Sequence, residues 1–265
     1  PFKPPSAVVF PESAEQVSEL VLAAVEHGIP LVPSGGRTGL SGGAVCLDGE
    51  VVVSLDRMRR ILDFDPVDRT VTVEPGVVTQ AVQTFAAEKG LYYPVSFASE
   101  GSSQIGGNNA TNAGGLRVLR YGLTRDRVAG LKVVTGRGDL LDCNRGQVKN
   151  ASGYDLRHLV VGSEGTLGFI VEATLRLTRP PAPSRVMLLA LDSMEDVMSV
   201  FGLFQSSLAL TAFEFFDARS MFNVRDAYDL PPPLEKDSAV YVITEFDCPG
   251  DEQEQRALAC FESGV

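Results

Sequence analysis

Positive charge is scarce in this chain: 23 Lys and Arg stand against 34 Asp and Glu, a formal net charge of −11. A surface of that sign repels phosphate backbones and anionic membranes, which argues against nucleic acid or a lipid surface as the main partner. A phosphate ligand must then be held by local N–H groups and single arginines, not by a basic field. No apolar run reaches the roughly 18 residues of a transmembrane segment, and no signal peptide is visible. Cysteine is sparse, with four in 265 residues. Cys46, Cys143, Cys248 and Cys260 make no CxxC pair and read as free thiols of a reducing compartment, not as disulfides or a metal site. The expected location is the cytoplasm, or the mitochondrial matrix in a eukaryote. The two histidines, His27 and His158, have no metal-ligand spacing. Standard dinucleotide signatures are missing too: no GxGxxG follows a strand and no GxxxxGK[ST] occurs. The chain starts without Met and ends inside a helical pattern, which reads as a piece of a longer protein.

Glycine is what the chain has instead, and it is grouped. Residues 33–43 hold Gly35, Gly36, Gly39, Gly42 and Gly43 after a short apolar run, 29–32, that reads as a strand. Glycine lets a backbone bend through positive φ and approach a ligand closely. Successive N–H groups there form a concave nest for phosphate oxygens. Ser34, Thr38 and Ser41 add hydroxyls and Arg37 adds positive charge. Residues 105–115 have no large side chain after Ile105, which suits a flat, crowded cofactor. Residues 162–168 place three glycines at the entry of an alternating strand, 169–177, where backbone and ligand come close.

The remaining pattern is scaffold. A strand over 7–10 precedes a helix that Ser13 caps, with Gln16 completing a capping box and Gly28 ending it in a left-handed cap. A strand over 51–55, a hairpin of 61–65 with 70–74, and a helix from 78 to Gly90 follow, so the first ninety residues read as one small α+β unit. Another hairpin joins 128–135 to 139–143, and 154–161 reads as a short amphipathic helix. Arg117, Arg120 and Tyr121 read as a solvated basic turn as readily as a substrate contact. Residues 179–183 form a proline-rich linker. Beyond it, 186–191, 194–204, 211–216 and 240–246 alternate strand, helix, strand, strand.

Together the three glycine segments, in this order and spacing, resemble the FAD-binding domain of the vanillyl-alcohol oxidase and p-cresol methylhydroxylase family, over most of residues 4–180. Residues 101–107, 111–117, 119–122 and 212–215 are similar to its FAD-linked 2-hydroxy-acid dehydrogenases, a group acting on D-2-hydroxyglutarate, glycolate or D-lactate. The resemblance implies an α+β fold: a two-part FAD-binding domain over 1–180, divided near residue 90, and an incomplete α+β substrate domain from 184 to 265. It also implies site residues. Pro33, Ser34, Gly35, Gly36, Arg37, Thr38 and Gly39 would surround the FAD pyrophosphate. Ser99, Glu100, Gly101, Ser102 and Ser103, with Gly106, Gly107 and Asn108, would line the ribityl and ring region, continued by Thr111, Asn112, Gly114 and Gly115. Glu164, Gly165 and Ile170 would meet adenosine and flavin. Some members bond FAD covalently through a histidine of the first loop; this loop has none, so the cofactor is expected to be non-covalent.

The implied activity is oxidation of a D-2-hydroxy acid, D-2-hydroxyglutarate before glycolate or D-lactate, with a non-catalytic flavin-binding subunit of a larger complex as the rival. The implied partners are a small 2-hydroxy-acid substrate, an electron acceptor such as electron-transfer flavoprotein, and a second copy if the chain forms a homodimer. In the resembling family the substrate arginine, the active-site histidine and a divalent metal lie in the C-terminal lobe, beyond the motifs present here. No catalytic residue or metal ligand is therefore named. These 265 residues alone are expected to bind FAD weakly or not at all and to turn over poorly.

Overall fold

The computed structural model describes residues 4–145, 147 and 149–264. They divide into two compact units. Residues up to 115 together with 122–180 form the first, and 116–121 together with 181 onward form the second.

The first unit is built on two sheets. β1 (Ala7–Val9), β2 (Leu31–Ser34) and β3 (Val51–Ser54) make a parallel sheet in the order β1-β3-β2. α1 (Ala14–His27) supplies the crossover between β1 and β2. Ser13 caps α1 by accepting from the Gln16 N–H, and Gly28 closes it at φ 64°. The capping box is only half formed: Gln16 Oε1 accepts from Glu12 N, one residue before the expected partner. β2 starts two residues later than its apolar run suggests and carries Pro33 and Ser34 into the glycine loop.

The second sheet has five antiparallel strands, ordered β4 (Ile61–Asp65), β5 (Thr70–Val73), β8 (Gly168–Arg176), β6 (Val128–Thr135), β7 (Leu140–Arg145). The hairpin of β4 and β5 thus pairs with β8, and the sheets do not respect a division at residue 90. α2 (Thr79–Glu88) and α3 (Ile105–Ala110) belong to the same unit. Val71, Val73, Val82, Tyr93, Ile105, Leu131, Val133 and Leu175 share one core. A second cluster joins Val17 and Val21 of α1 to Val53, Val134, Phe169 and Val171. Each such side chain, fully buried, contributes about 1.5–3 kcal/mol.

Residues 105–110 form a helix, and small side chains let it lie against Pro75 and Val77: Gly106 N donates to Pro75 O and Ile105 N to Val77 O. One expectation is corrected here. The helix expected over 154–161 shrinks to α6 (Arg157–Val160). There Arg157 turns inward, donating to the carbonyls of Val128 and Ala129, which pins the segment to β6. α5 (Thr124–Arg127) precedes β6.

The second unit has an antiparallel sheet ordered β10 (Leu210–Asp217), β11 (Val240–Asp247), β9 (Ser184–Leu191). α7 (Met194–Ser207) and α9 (Asp251–Gly264) share its core, which includes Leu189, Val200, Phe204, Val242, Phe246 and Ala257. α8 (Ala218–Tyr228) follows β10. α4 (Val118–Tyr121) also packs in this unit, where Arg117 is half-buried and Arg120 exposed, and both are paired to carboxylates. Arg117 Nε donates to Glu245 at 2.9 Å and Arg120 Nη2 to Asp247 at 3.0 Å, both on β11. Among the described residues no helix is long and apolar enough to cross a membrane.

Candidate functional site

The site starts where β2 ends. Parallel pairing with β3 runs as far as Ser34, whose carbonyl accepts from Leu55 N at 3.1 Å. The chain then turns, with Arg37 in the left-handed region at φ 57°. Arg37 folds back: Nη1 donates to Ser34 Oγ at 3.2 Å and Nη2 faces Asp56 Oδ2 at 3.4 Å. Gly36 has a packing reason. A Cβ there would stand 2.9 Å from Ser103 Cα and closer still to Ser102 O.

The second segment is fastened to α2. Thr79 N donates to Ser103 O at 2.9 Å, and the buried hydroxyls of Thr79 and Ser103 lie 2.7 Å apart. Asn108 Nδ2 adds to the same group by donating to Thr79 Oγ1 at 2.6 Å. Glu100 accepts from Gln83 Nε2 and Ser96 Oγ, which ties residues 96–100 to α2. α3 then rests on Pro75: a Cβ on Gly106 would meet Pro75 Cβ at 2.7 Å.

The third segment hangs on the end of α3. Gly162 N donates to Asn109 O at 3.0 Å and Glu164 N to Ala110 O at 2.8 Å. Glu164 adopts φ 52° and Gly165 φ 82°. A Cβ on Gly165 would run into the Pro33 ring, so first and third segments touch.

These contacts enclose a cleft of about 480 Å³, within the ordinary range for a small-molecule site. Sixteen of the twenty-two sequence-predicted residues line it: Pro33, Ser34, Gly35, Gly36, Arg37, Thr38, Gly39, Ser99, Gly106, Gly107, Asn108, Thr111, Gly114, Glu164, Gly165 and Ile170. Glu100, Gly101, Ser102, Ser103, Asn112 and Gly115 do not. Ser102 and Ser103 back the first loop instead, and Ser103 bonds to α2. Asn112, at φ 49°, accepts from Arg125 N at 3.0 Å and shapes the exit from α3. Gly115 packs against the Ser96 carbonyl. The cleft also takes Leu55, Pro75, Phe97, Gln104 and Phe169, which sequence reasoning missed. Pro75 was legible only as a strand stop, and Gln104 only as the neighbour of a glycine pair.

Asp56 sits behind this wall and stays ionised. Burial acts to raise its pKa, but donors from Ser54 and Gln104 and the cations Arg37 and Arg59 outweigh it and hold the carboxyl below its ordinary range. Gln104 Nε2 donates to Asp56 Oδ1 at 2.6 Å, while Gln104 Oε1 is buried without a partner. Neither histidine lines the cleft: His27 Nδ1 contacts Ala23 O and His158 Nδ1 contacts Arg125. Among the described residues no group of three or more His, Cys, Asp or Glu is placed to hold a metal.

The donor set fits a flavin nucleotide. Glycine-walled backbone amides suit a diphosphate, small residues suit a flat ring, Leu55, Phe97 and Ile170 supply apolar surface, and an orphaned acceptor awaits a donor.

Comparison with known proteins agrees. The family model described as FAD binding domain matches residues 5–144, and that of the C-terminal domain of FAD linked oxidases matches residues 180–264. A D-2-hydroxyglutarate dehydrogenase of Stutzerimonas stutzeri (strain A1501) is 55% identical over 261 residues, covering 98% of this chain and 56% of that protein. Glycolate oxidase subunit GlcD of Bacillus subtilis (strain 168) is 36% identical over 223 residues, covering 84% of this chain and 47% of that one. The chain thus spans about half the length of the curated relatives it matches. An alkyldihydroxyacetonephosphate synthase structure superposes with a TM-score of 0.76 at 20% identity, over 97% of this chain and 50% of that one, a likeness of fold alone. With its α+β architecture, its three-segment cleft and a match over more than half its length, the chain belongs to the FAD-binding domain family of the FAD-linked oxidases.

Proposed function

We propose that this chain is the flavin-binding part of an oxidoreductase that converts a D-2-hydroxy acid, D-2-hydroxyglutarate in the first place, to the 2-oxo acid. The observation that carries the reading is the cleft itself, built by three glycine segments and joined to 55% identity with a D-2-hydroxyglutarate dehydrogenase. FAD, when bound, would supply the two-electron redox chemistry of the oxidation, and the residues of this cleft would hold and orient it.

The chain's own residues bind and orient. The backbone N–H groups of Gly36 to Gly39 suit the diphosphate, because Arg37 spends its guanidinium on Ser34 and Asp56. Gly106, Gly107, Thr111 and Gly114 offer the flat, small-residued wall that a ring needs. Leu55, Phe97 and Ile170 exclude water from it. Attachment is non-covalent in this proposal, since neither histidine lines the cleft. The substrate base, the cations for its carboxylates and a divalent metal belong to the C-terminal lobe by resemblance, and so does reoxidation by an acceptor such as electron-transfer flavoprotein, with a homodimer compatible with all of these. A glycolate substrate, with the chain as one subunit of a complex, is the second reading, favoured by the similarity to GlcD.

A visible spectrum of the protein carrying this sequence at the full length of its curated relatives, before and after acid precipitation, tests the cofactor. Flavin bands that move to the supernatant are expected. D-2-hydroxyglutarate is then expected to bleach the flavin faster than glycolate or D-lactate. A colourless protein that takes up no added FAD overturns the proposal; faster bleaching by glycolate replaces its substrate with the second reading.

A further inference from the structure

The cleft wall carries one polar atom with nothing to bond to. Gln104 is 4% exposed, lines the cleft, and its Oε1 has no hydrogen-bond partner. Its amide cannot turn to bury that oxygen usefully. Asp56 is an acceptor-only carboxylate, so the NH₂ side of the amide must face it, and Nε2 does so at 2.6 Å. Asp56 is itself fixed by Ser54 Oγ at 2.8 Å, Arg59 at 3.2 Å and Arg37 at 3.4 Å. The oxygen therefore lies at the seam of the first and second segments. It is 3.6 Å from the point where a Cβ on Gly35 would stand, and Gly107 N is 3.6 Å from the same point. A buried amide oxygen left unpaired costs free energy that a ligand donor recovers.

That atom also says what the ligand group is. An amide oxygen only accepts, so it calls for a donor on the ligand, which a phosphate oxygen at neutral pH does not offer. Gln104 opens the small-residue segment read as the ring wall, and the flavin half of FAD offers two kinds of neutral donor there. We propose that Gln104 Oε1 accepts a hydrogen bond from a ribityl hydroxyl or the ring imide N–H of FAD, and that Asp56 is the positioning residue that turns the Gln104 amide to do so. This rests on the FAD reading above.

The test measures FAD dissociation constants of wild type and Gln104→Met by flavin fluorescence. The variant is expected to bind FAD about tenfold more weakly, the worth of a hydrogen bond to a buried acceptor. N3-methyl FAD and FAD lacking the ribityl 2′-, 3′- or 4′-hydroxyl in turn separate the donors: the analogue lacking the true donor binds wild type and variant alike, and the others keep the tenfold gap. Asp56→Asn still accepts from Gln104 but also donates, so a smaller loss and the same direction of change in the flavin absorption envelope are expected. The apo forms are compared by thermal unfolding; should Gln104→Met fail to fold, Asp56→Asn carries the same analogue series. Wild-type affinity in both variants, or a full penalty with every analogue, overturns the inference while the FAD reading stands. A wild type that takes up no FAD overturns both.

Discussion

Single glycines in this cleft do three different jobs, and substitution separates them. Gly36 is a packing glycine: a Cβ there would stand 2.9 Å from Ser103 Cα, so the loop must shift. Gly36→Ala is expected to lose about 1–3 kcal/mol of stability by overpacking, read as a lower Tm. Gly39 meets no atom within 4 Å and has no left-handed φ, so Gly39→Ala is expected to stay within about 0.5 kcal/mol of wild type. Gly107 also has open space around it, but it lies inside α3 and lines the cleft. Alanine favours a helix by about 0.5–1 kcal/mol over glycine. Gly107→Ala is therefore expected to hold or raise the apo Tm while weakening FAD about tenfold, since its methyl occupies ligand space. An equal loss of Tm and affinity would contradict that. The glycines were legible in the sequence as clusters. Which of them faces a ligand was not, because packing neighbours such as Ser102, Ser103 and Pro75 lie far away along the chain.

At the scale of elements, local signals were read well where they act locally. Ser13, with φ −150°, accepts from Gln16 N at 3.3 Å. Ser13→Ala is expected to cost about 1 kcal/mol, measured by urea unfolding. The segment 116–121 shows the opposite case, since its arginines meet carboxylates over a hundred residues on. The Arg117 hydrogen bond holds Glu245 below its ordinary carboxyl value of 4.5; burial opposes this and Ser184 Oγ assists. A carboxylate depressed in the fold stabilises it above that ordinary value and withdraws support as pH falls through the lower folded value. Glu245→Gln is thus expected to flatten the acid limb of stability below about pH 4.5, while lowering stability at pH 7. Unfolding midpoints between pH 7 and pH 3 check this, and an unchanged acid slope would contradict it.

For the molecule as a whole, charge and ligand act together. The chain carries −11 and FAD an anionic diphosphate, so their encounter is repulsive at low salt. The association rate is expected to rise roughly twofold between 20 and 200 mM NaCl as screening shortens the Debye length. A rate that falls with salt would show a local basic field that Arg37, paired to Asp56, does not suggest. FAD at a hundredfold excess over its dissociation constant adds about 2.7 kcal/mol to whatever it binds. Calorimetry is expected to show that gain in the unfolding of the first unit, which holds the whole cleft.

By itself the sequence determined the elements whose signals are local: the capped α1, the hairpins, the β8 strand and the three glycine segments, because caps, alternation and glycine act within a few residues. It also pointed to a flavin nucleotide through motif order. Only the tertiary structure decided that 105–110 coil into a helix against Pro75, that β4 and β5 join β8, and that Gln104 stands in the wall with an unpaired oxygen. Those outcomes depend on atoms brought together from distant parts of the chain, where one hydrogen bond or one missing Cβ selects among conformations that local sequence leaves equally available.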